Sequence, residues 1–313
     1  MTEIQKYLAE EIAEDLTDGI ITRREAMRRL GLLGLTGSAA TTLLATFAAP
    51  AAAAPRATAS RGGDRDGTVR EWEPVATEAI TFPGPNGTLM GAWAPAAKPR
   101  GGVLVIHENR GLNDHIRTVA GRFAASGWSA LALDLLSEEG GTGEFTDPAQ
   151  VGAVLGQIDP TRFDTDMKAA VTELDKRVRG KLAAIGFCFG GGMIWRLLAA
   201  RERRLAAAAP YYGPFPEGDV SFRGNRAAVL AVYGGTDARV NAGKDAAKAA
   251  LEAARLKHEL LTFTLAGHAF FNDTNAERFN PHAAAEAWRR TLNWFDDAGR
   301  RRHGKHDRHD RHD

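Results

Sequence analysis

The sequence predicts an α/β fold: one mostly parallel central sheet with helices on both faces. Three observations carry this. Short apolar runs of the kind a strand buried on both faces needs recur between about residues 72 and 299. Amphipathic stretches of helical period separate them, and the two patterns alternate. The 313 residues are 44% hydrophobic and 25% charged, a globular composition with enough chain for a large core. No internal repeat is visible, so residues 72–299 read as one domain.

In order, residues 79–82 and 89–93 flank Pro85-Asn86-Gly87 and form a hairpin. Residues 102–107 are a strand, and Asp114 caps a helix running to about residue 125. A strand over 128–134 leads into a Gly-rich loop, Ser137 to Asp147, which is either a lid over a site or a plain connection. A helix over about 164–178 is followed by a strand at 181–187 that runs into Cys188, and by a helix at 190–200. Strands at 205–211, 227–233 and 259–265 alternate with helices at about 242–254 and 281–297.

The two ends differ from this middle. Residues 7–16 are amphipathic and acidic, Thr22-Arg23-Arg24-Glu25 follows, and residues 30–55 carry no charge and end in Ala51-Ala52-Ala53-Ala54. Basic region, mild apolar region and small-residue cleavage site are the parts of an export signal over residues 1–54. The paired arginines favour the twin-arginine route, making its machinery an expected partner and the periplasm or exterior the expected location. A membrane anchor and an N-terminal helix retained on the fold are the alternatives. Residues 55–71 read as a linker, and residues 300–313 as a solvated His/Arg/Asp-rich tail; the alternative is a metal-collecting tail, its histidines being spaced by three.

Lys+Arg 40 against Asp+Glu 39 leaves a net charge of +1, with no bulk field to attract nucleic acid. The single cysteine excludes an intrachain disulfide and any multi-cysteine metal site. It is therefore notable where that cysteine stands. Gly186-Phe187-Cys188-Phe189-Gly190 has the layout of a nucleophile elbow, G-x-S-x-G with Cys for Ser. The strand-to-helix turn is so sharp that side chains two before and two after the nucleophile would collide, and both positions are Gly. The helix then points free N–H groups and its positive dipole end at the sulfur, an arrangement expected to favour thiolate.

Two more strand ends carry Asp237, after Tyr233-Gly234-Gly235-Thr236, and His268, after Ala266-Gly267. Alone, each of the three residues has an ordinary structural reading. Together, in the chain order nucleophile, acid, histidine, they form a Cys188–His268–Asp237 set in the order of the α/β-hydrolases. Cys188 would attack an ester carbonyl to give an acyl-thioester, His268 would hold the thiol proton or activate water, and Asp237 would orient the imidazole.

The segments Ile106-His107-Glu108-Asn109-Arg110-Gly111, Gly186 to Gly191, Gly234-Gly235-Thr236-Asp237 and Ala266-Gly267-His268-Ala269-Phe270 resemble those of the dienelactone hydrolase family. The resemblance covers nearly all of residues 72–299. It implies the α/β-hydrolase fold, no metal or organic cofactor, and opening of a small ester or lactone such as dienelactone (carboxymethylenebutenolide). It further implies an oxyanion hole from the backbone N–H groups of Phe189 and Asn109, and a proton-accepting role for Glu108. The plainer reading of Glu108 is a salt bridge to Arg110. His107-Glu108 is not a zinc motif, because position 111 is Gly. Family members hold the lactone carboxylate with an arginine shortly after the histidine. Here Ala269, Phe270, Phe271 and Asn272 follow it, leaving Arg278 as the nearest candidate substrate-binding cation. A non-catalytic relative that binds a ligand or partner is the alternative, but all three catalytic positions are filled. A redox-sensing thiol would lack a resolving cysteine.

Overall fold

A computed structural model of the chain describes residues 1–47 and 73–298. The expected linker at 55–71, the Ala51–Ala54 cleavage site and the tail at 300–313 lie outside the described residues. Eight strands form one sheet in the order β1-β2-β4-β3-β5-β6-β7-β8. They are β1 Glu78–Pro83, β2 Thr88–Ala94, β3 Gly101–Ile106, β4 Ser129–Asp134, β5 Lys181–Phe187, β6 Leu205–Tyr211, β7 Ala228–Gly234 and β8 His258–Phe263. The β1–β2 hairpin is antiparallel and joins the sheet antiparallel to β4, while β3 to β8 are all parallel. This is the α/β-hydrolase architecture.

Residues of β3, β4 and β7 are buried throughout because helices cover both faces, and the polar residues at the two ends of β4, Ser129 and Asp134, are hydrogen-bonded. Adjacent strand residues point to opposite faces, and the start of β3 shows what lies on each. Gly101 abuts Trp128, whose neighbours are on the side of α4 (Asp114–Ala125) and α10 (Pro281–Asp297). Gly102 abuts Leu174 of α6 (Pro160–Arg177). Phe123, Trp288 and Phe295 lock α4 to α10, and Phe163 meets Phe189 where α6 meets α7 (Phe189–Ala199). The cap of α4 is Asn113, which accepts from the Ile116 N–H; Asp114 is the first helical residue.

From β3 the chain moves outward to β4, then returns across β3 to lay down β5. The switch point therefore lies between β3 and β5, and a crevice opens beyond their carboxyl ends. The Ser137–Asp147 loop is tied down beside it. Two 3-10 turns, Ser137–Glu139 and Thr142–Glu144, are held by Asp134, which accepts from the Thr142 N–H at 2.7 Å and its hydroxyl at 2.8 Å. A short helix that the loop pattern hid, α5 (Pro148–Leu155), follows Asp147.

The N-terminal segment folds onto this crevice as three helices: α1 (Glu3–Thr17), α2 (Arg23–Leu32) and α3 (Gly37–Phe47). Thr2 and Gln5 form a capping box at the start of α1, and Thr22 caps α2. Leu8, Ala9, Ala13, Ala26, Leu30, Ala40 and Leu44 are buried among the helices and the domain. Arg23 and Arg24 remain exposed. No helix of the described residues is long and apolar enough to cross a membrane.

Candidate active site

β5 ends at Phe187, and Cys188 turns the chain into α7 with φ 56 and ψ −120, a strained conformation for a residue with a side chain. The two glycines make this turn possible. A Cβ on Gly186 would sit 2.2 Å from the Gly190 carbonyl oxygen, and one on Gly190 would sit 2.5 Å from those of Ile106 and His107. Backbone packs against backbone here, so Cys188 is delivered to the end of β3 as well as β5.

Asp237 caps the short helix α8 (Ala238–Asn241) after β7, accepting the Val240 N–H with one oxygen. Its other oxygen lies 2.6 Å from His268 Nδ1. Burial disfavours charge on both, but each partner's opposite charge wins: Asp237 is held below, and His268 well above, its ordinary range. Asp237 thus favours the protonated form of the His268 ring. Its Nε2 is buried without a hydrogen bond, and a ring nitrogen of His268 lies within 4.8 Å of Cys188 Sγ. The structure therefore brings Cys188, His268 and Asp237 together.

The expected thiolate is not found. Burial, then the charge of the Glu11 carboxylate, push the Cys188 thiol up to about 11, against the opposing pull of His268. Half a charge at a helix end does not offset complete burial beside a carboxylate.

Glu108 and Asn109 leave the end of β3 and line the same cavity as Cys188, about 520 Å³ in volume. Glu108 is held by Asn272, whose side-chain amide donates at 2.7 Å, rather than by Arg110; its second oxygen is buried without a partner. His107 is a structural neighbour. Its Nδ1 faces the Glu108 carbonyl at 2.6 Å and its Nε2 accepts the Leu135 N–H, while burial lowers its pKa and keeps it neutral. Phe189 is the first residue of α7, where a backbone N–H has no acceptor within the helix.

Two contributors were invisible to sequence reasoning. Asn272 gave no signal beyond standing where a cation was sought. The second is α1, which lays Tyr7 and Glu11 directly on the sulfur: Tyr7 Oη is 3.3 Å from Sγ, and the thiol reaches both Glu11 oxygens at 3.2 and 3.3 Å. Residues 4, 7, 8, 11 and 15 of α1 are buried along one helical face, a period readable in the sequence, though its destination is not. Arg278 does reach the cavity wall, where it pairs with Asp15 at 2.8 Å and Asp18 at 3.1 Å of α1. Glu11, Cys188 and His268 could together ligate a metal ion by proximity, yet all three are accounted for by the contacts above.

A family model described as the dienelactone hydrolase family matches residues 90–299. A protein of Salmonella typhimurium named "Putative carboxymethylenebutenolidase" is 31% identical over 211 residues, spanning 63% of this chain and 77% of its own length. One of the same name from Methylorubrum extorquens is 30% identical over 211 residues, 63% of this chain and 72% of its own. Among solved structures, that titled as a "Putative Dienelactone Hydrolase" from Klebsiella pneumoniae superposes with a TM-score of 0.61 at 27% identity, covering 70% of this chain and 98% of that one.

Proposed function

The chain belongs to the dienelactone hydrolase family and is an ester or lactone hydrolase; from that premise we propose that it works through a Cys188 acyl-thioester. The observation that carries this is the 2.6 Å Asp237–His268 pair converging on the elbow thiol beside Glu108. Resting charges assign the proton steps. Asp237 favours the protonated form of His268, so the thiol proton goes to the Glu108 carboxylate when substrate enters the cavity. The resulting thiolate, paired with the imidazolium, forms the S–C bond. The carbonyl oxygen gathers charge against the N–H groups of Phe189 and Asn109, worth about 3–4 kcal/mol per donor. As the C–O bond breaks, His268 protonates the departing alkoxide and becomes neutral. It then accepts a proton from the water that hydrolyses the thioester, and the released thiolate recovers its proton from Glu108.

The test is turnover of dienelactone and of p-nitrophenyl acetate, with the intact mass followed for an acyl adduct on the one cysteine. Turnover and adduct lost together in Cys188→Ala support the mechanism; undiminished turnover in that variant refutes it. Arg278 is assigned to an anionic group of the substrate, so Arg278→Leu is expected to raise KM for dienelactone relative to KM for p-nitrophenyl acetate. We also propose export by the twin-arginine route, on the strength of the exposed Arg23-Arg24 pair and the uncharged run after it. Full-length chain recovered only from the cytosol would refute that.

A further inference from the structure

The family match begins at residue 90, so α1, α2 and α3 are additions to the fold that the family describes. Their placement is specific. A reacting carbonyl carbon must come within about 3–3.5 Å of the sulfur. The Glu11 carboxylate already occupies that shell, with oxygens at 3.2 and 3.3 Å, and Tyr7 fills another side at 3.3 Å. Cys188 is left 2% exposed. A carboxylate there also opposes the thiolate and the developing oxyanion, both of which carry negative charge.

The docking is held by ion pairs around the groove. Asp15 and Asp18 neutralise Arg278, Glu14 binds Arg239 at 2.9 Å, and the Arg239 guanidinium lies 4.6 Å from the Tyr7 ring centre. At the helix start, Lys6 pairs with Glu217 at 2.7 Å, and Glu3 accepts the Glu217 N–H at 2.8 Å. From one helical face, then, α1 sends an apolar stripe into the groove, one carboxylate onto the nucleophile and three more onto two arginines.

We propose that α1 is an internal inhibitor of the hydrolase, covering Cys188 with Tyr7 and Glu11 in the full chain and releasing it when the helix leaves. This rests on the hydrolase reading. It also gives the export reading a consequence: residues 1–54 contain all of α1, so cleavage in the alanine run would remove the inhibitor together with the address. The enzyme would be silent where it is made and active where it is delivered.

Because Cys188 is the only cysteine, iodoacetamide alkylation of the full chain reports the cover on this thiol and nothing else. Two variants test it. Leu8→Asp puts a charge on the buried face of α1, where Leu8 is 2% exposed. Glu11→Ala removes the group on the sulfur while keeping a strong helix former, so it remains informative if Leu8→Asp does not fold. Both are expected to speed alkylation at about pH 8 by about tenfold or more, and to raise kcat/KM for p-nitrophenyl acetate in parallel. Alkylation at the wild-type rate in folded variants overturns the proposal. So does faster alkylation with slower hydrolysis, which would make Glu11 or Tyr7 part of the machinery. Hydrolysis absent from wild type and variants alike overturns the hydrolase reading itself, and alkylation, which needs no substrate, tells the two failures apart.

Discussion

Gly190→Ala tests the elbow by the smallest change that fits the chain. The added Cβ would stand 2.5 Å from the carbonyl oxygens of both Ile106 and His107, about 0.5 Å inside the 3.0 Å that real Cβ contacts respect. Neither neighbour is a side chain that can rotate away: both are backbone between β3 and Glu108. The start of α7 must therefore back off, taking Cys188 and the Phe189 N–H with it. Overpacking of this kind costs about 1–3 kcal/mol. At about 2–4 °C per kcal/mol for a domain of this size, the melting temperature falls by several degrees. Displacement of the proposed nucleophile and oxyanion donor by a large fraction of an ångström is expected to remove up to about 10²-fold from kcat. Melting followed by circular dichroism, with kcat and KM on p-nitrophenyl acetate, reads both effects. Gly143→Ala is the control, since a Cβ there meets nothing within 4 Å. A Gly190→Ala protein that matches the control in melting temperature and kcat would refute the close-packing argument.

Asn272→Leu removes the amide that holds Glu108, leaving a buried carboxylate without a donor on either oxygen. It should cost about 1–3 kcal/mol in urea unfolding and lower kcat; unchanged values would show that Asn272 does not position Glu108. Alkylation of wild-type Cys188 should keep rising about tenfold per pH unit to beyond pH 9, because burial and Glu11, with Glu108 adding and His268 opposing, place the thiol at about 11. A plateau near pH 8 would contradict this. Asp273 binds His115 and Arg122, and these contacts bring its carboxyl down to about 2 despite partial burial. A depressed carboxyl stabilises the fold above its unfolded pKa and ceases to do so as pH falls through the folded value. Asp273→Asn should therefore cost about 1 kcal/mol at neutral pH, after allowance for solvent screening. The difference from wild type should shrink between about pH 4 and pH 2; one constant with pH would assign the loss to packing instead.

Much of the domain was legible because its signals are local. The strands at 102–107, 181–187 and 205–211 announce themselves as apolar runs, and the Gly186/Gly190 pair around Cys188 states a steric requirement that the backbone contacts meet. Asp237 and His268 were found because each follows its own strand, and parallel strands deliver their carboxyl ends to one edge of the sheet. Asn113 in place of Asp114 as the cap of α4 is a shift of one residue between two side chains of equal capping power.

What the sequence could not supply were the long-range pairings and the charge states they create. The amphipathic period of residues 4–15 is visible, but a period names a buried face and not the surface that buries it. Only the tertiary structure sets Glu11 against Cys188, 177 positions away, and Asp15 against Arg278, 263 away. The thiol's state follows from that placement: a helix dipole is a local property and argues for thiolate, while desolvation and a carboxylate from a distant segment argue against it and prevail. The sequence by itself determined the fold and the chain order of Cys188, Asp237 and His268 at its strand ends. Packing of the N-terminal helices decided what stands on the Cys188 thiol, because charge and burial act through space.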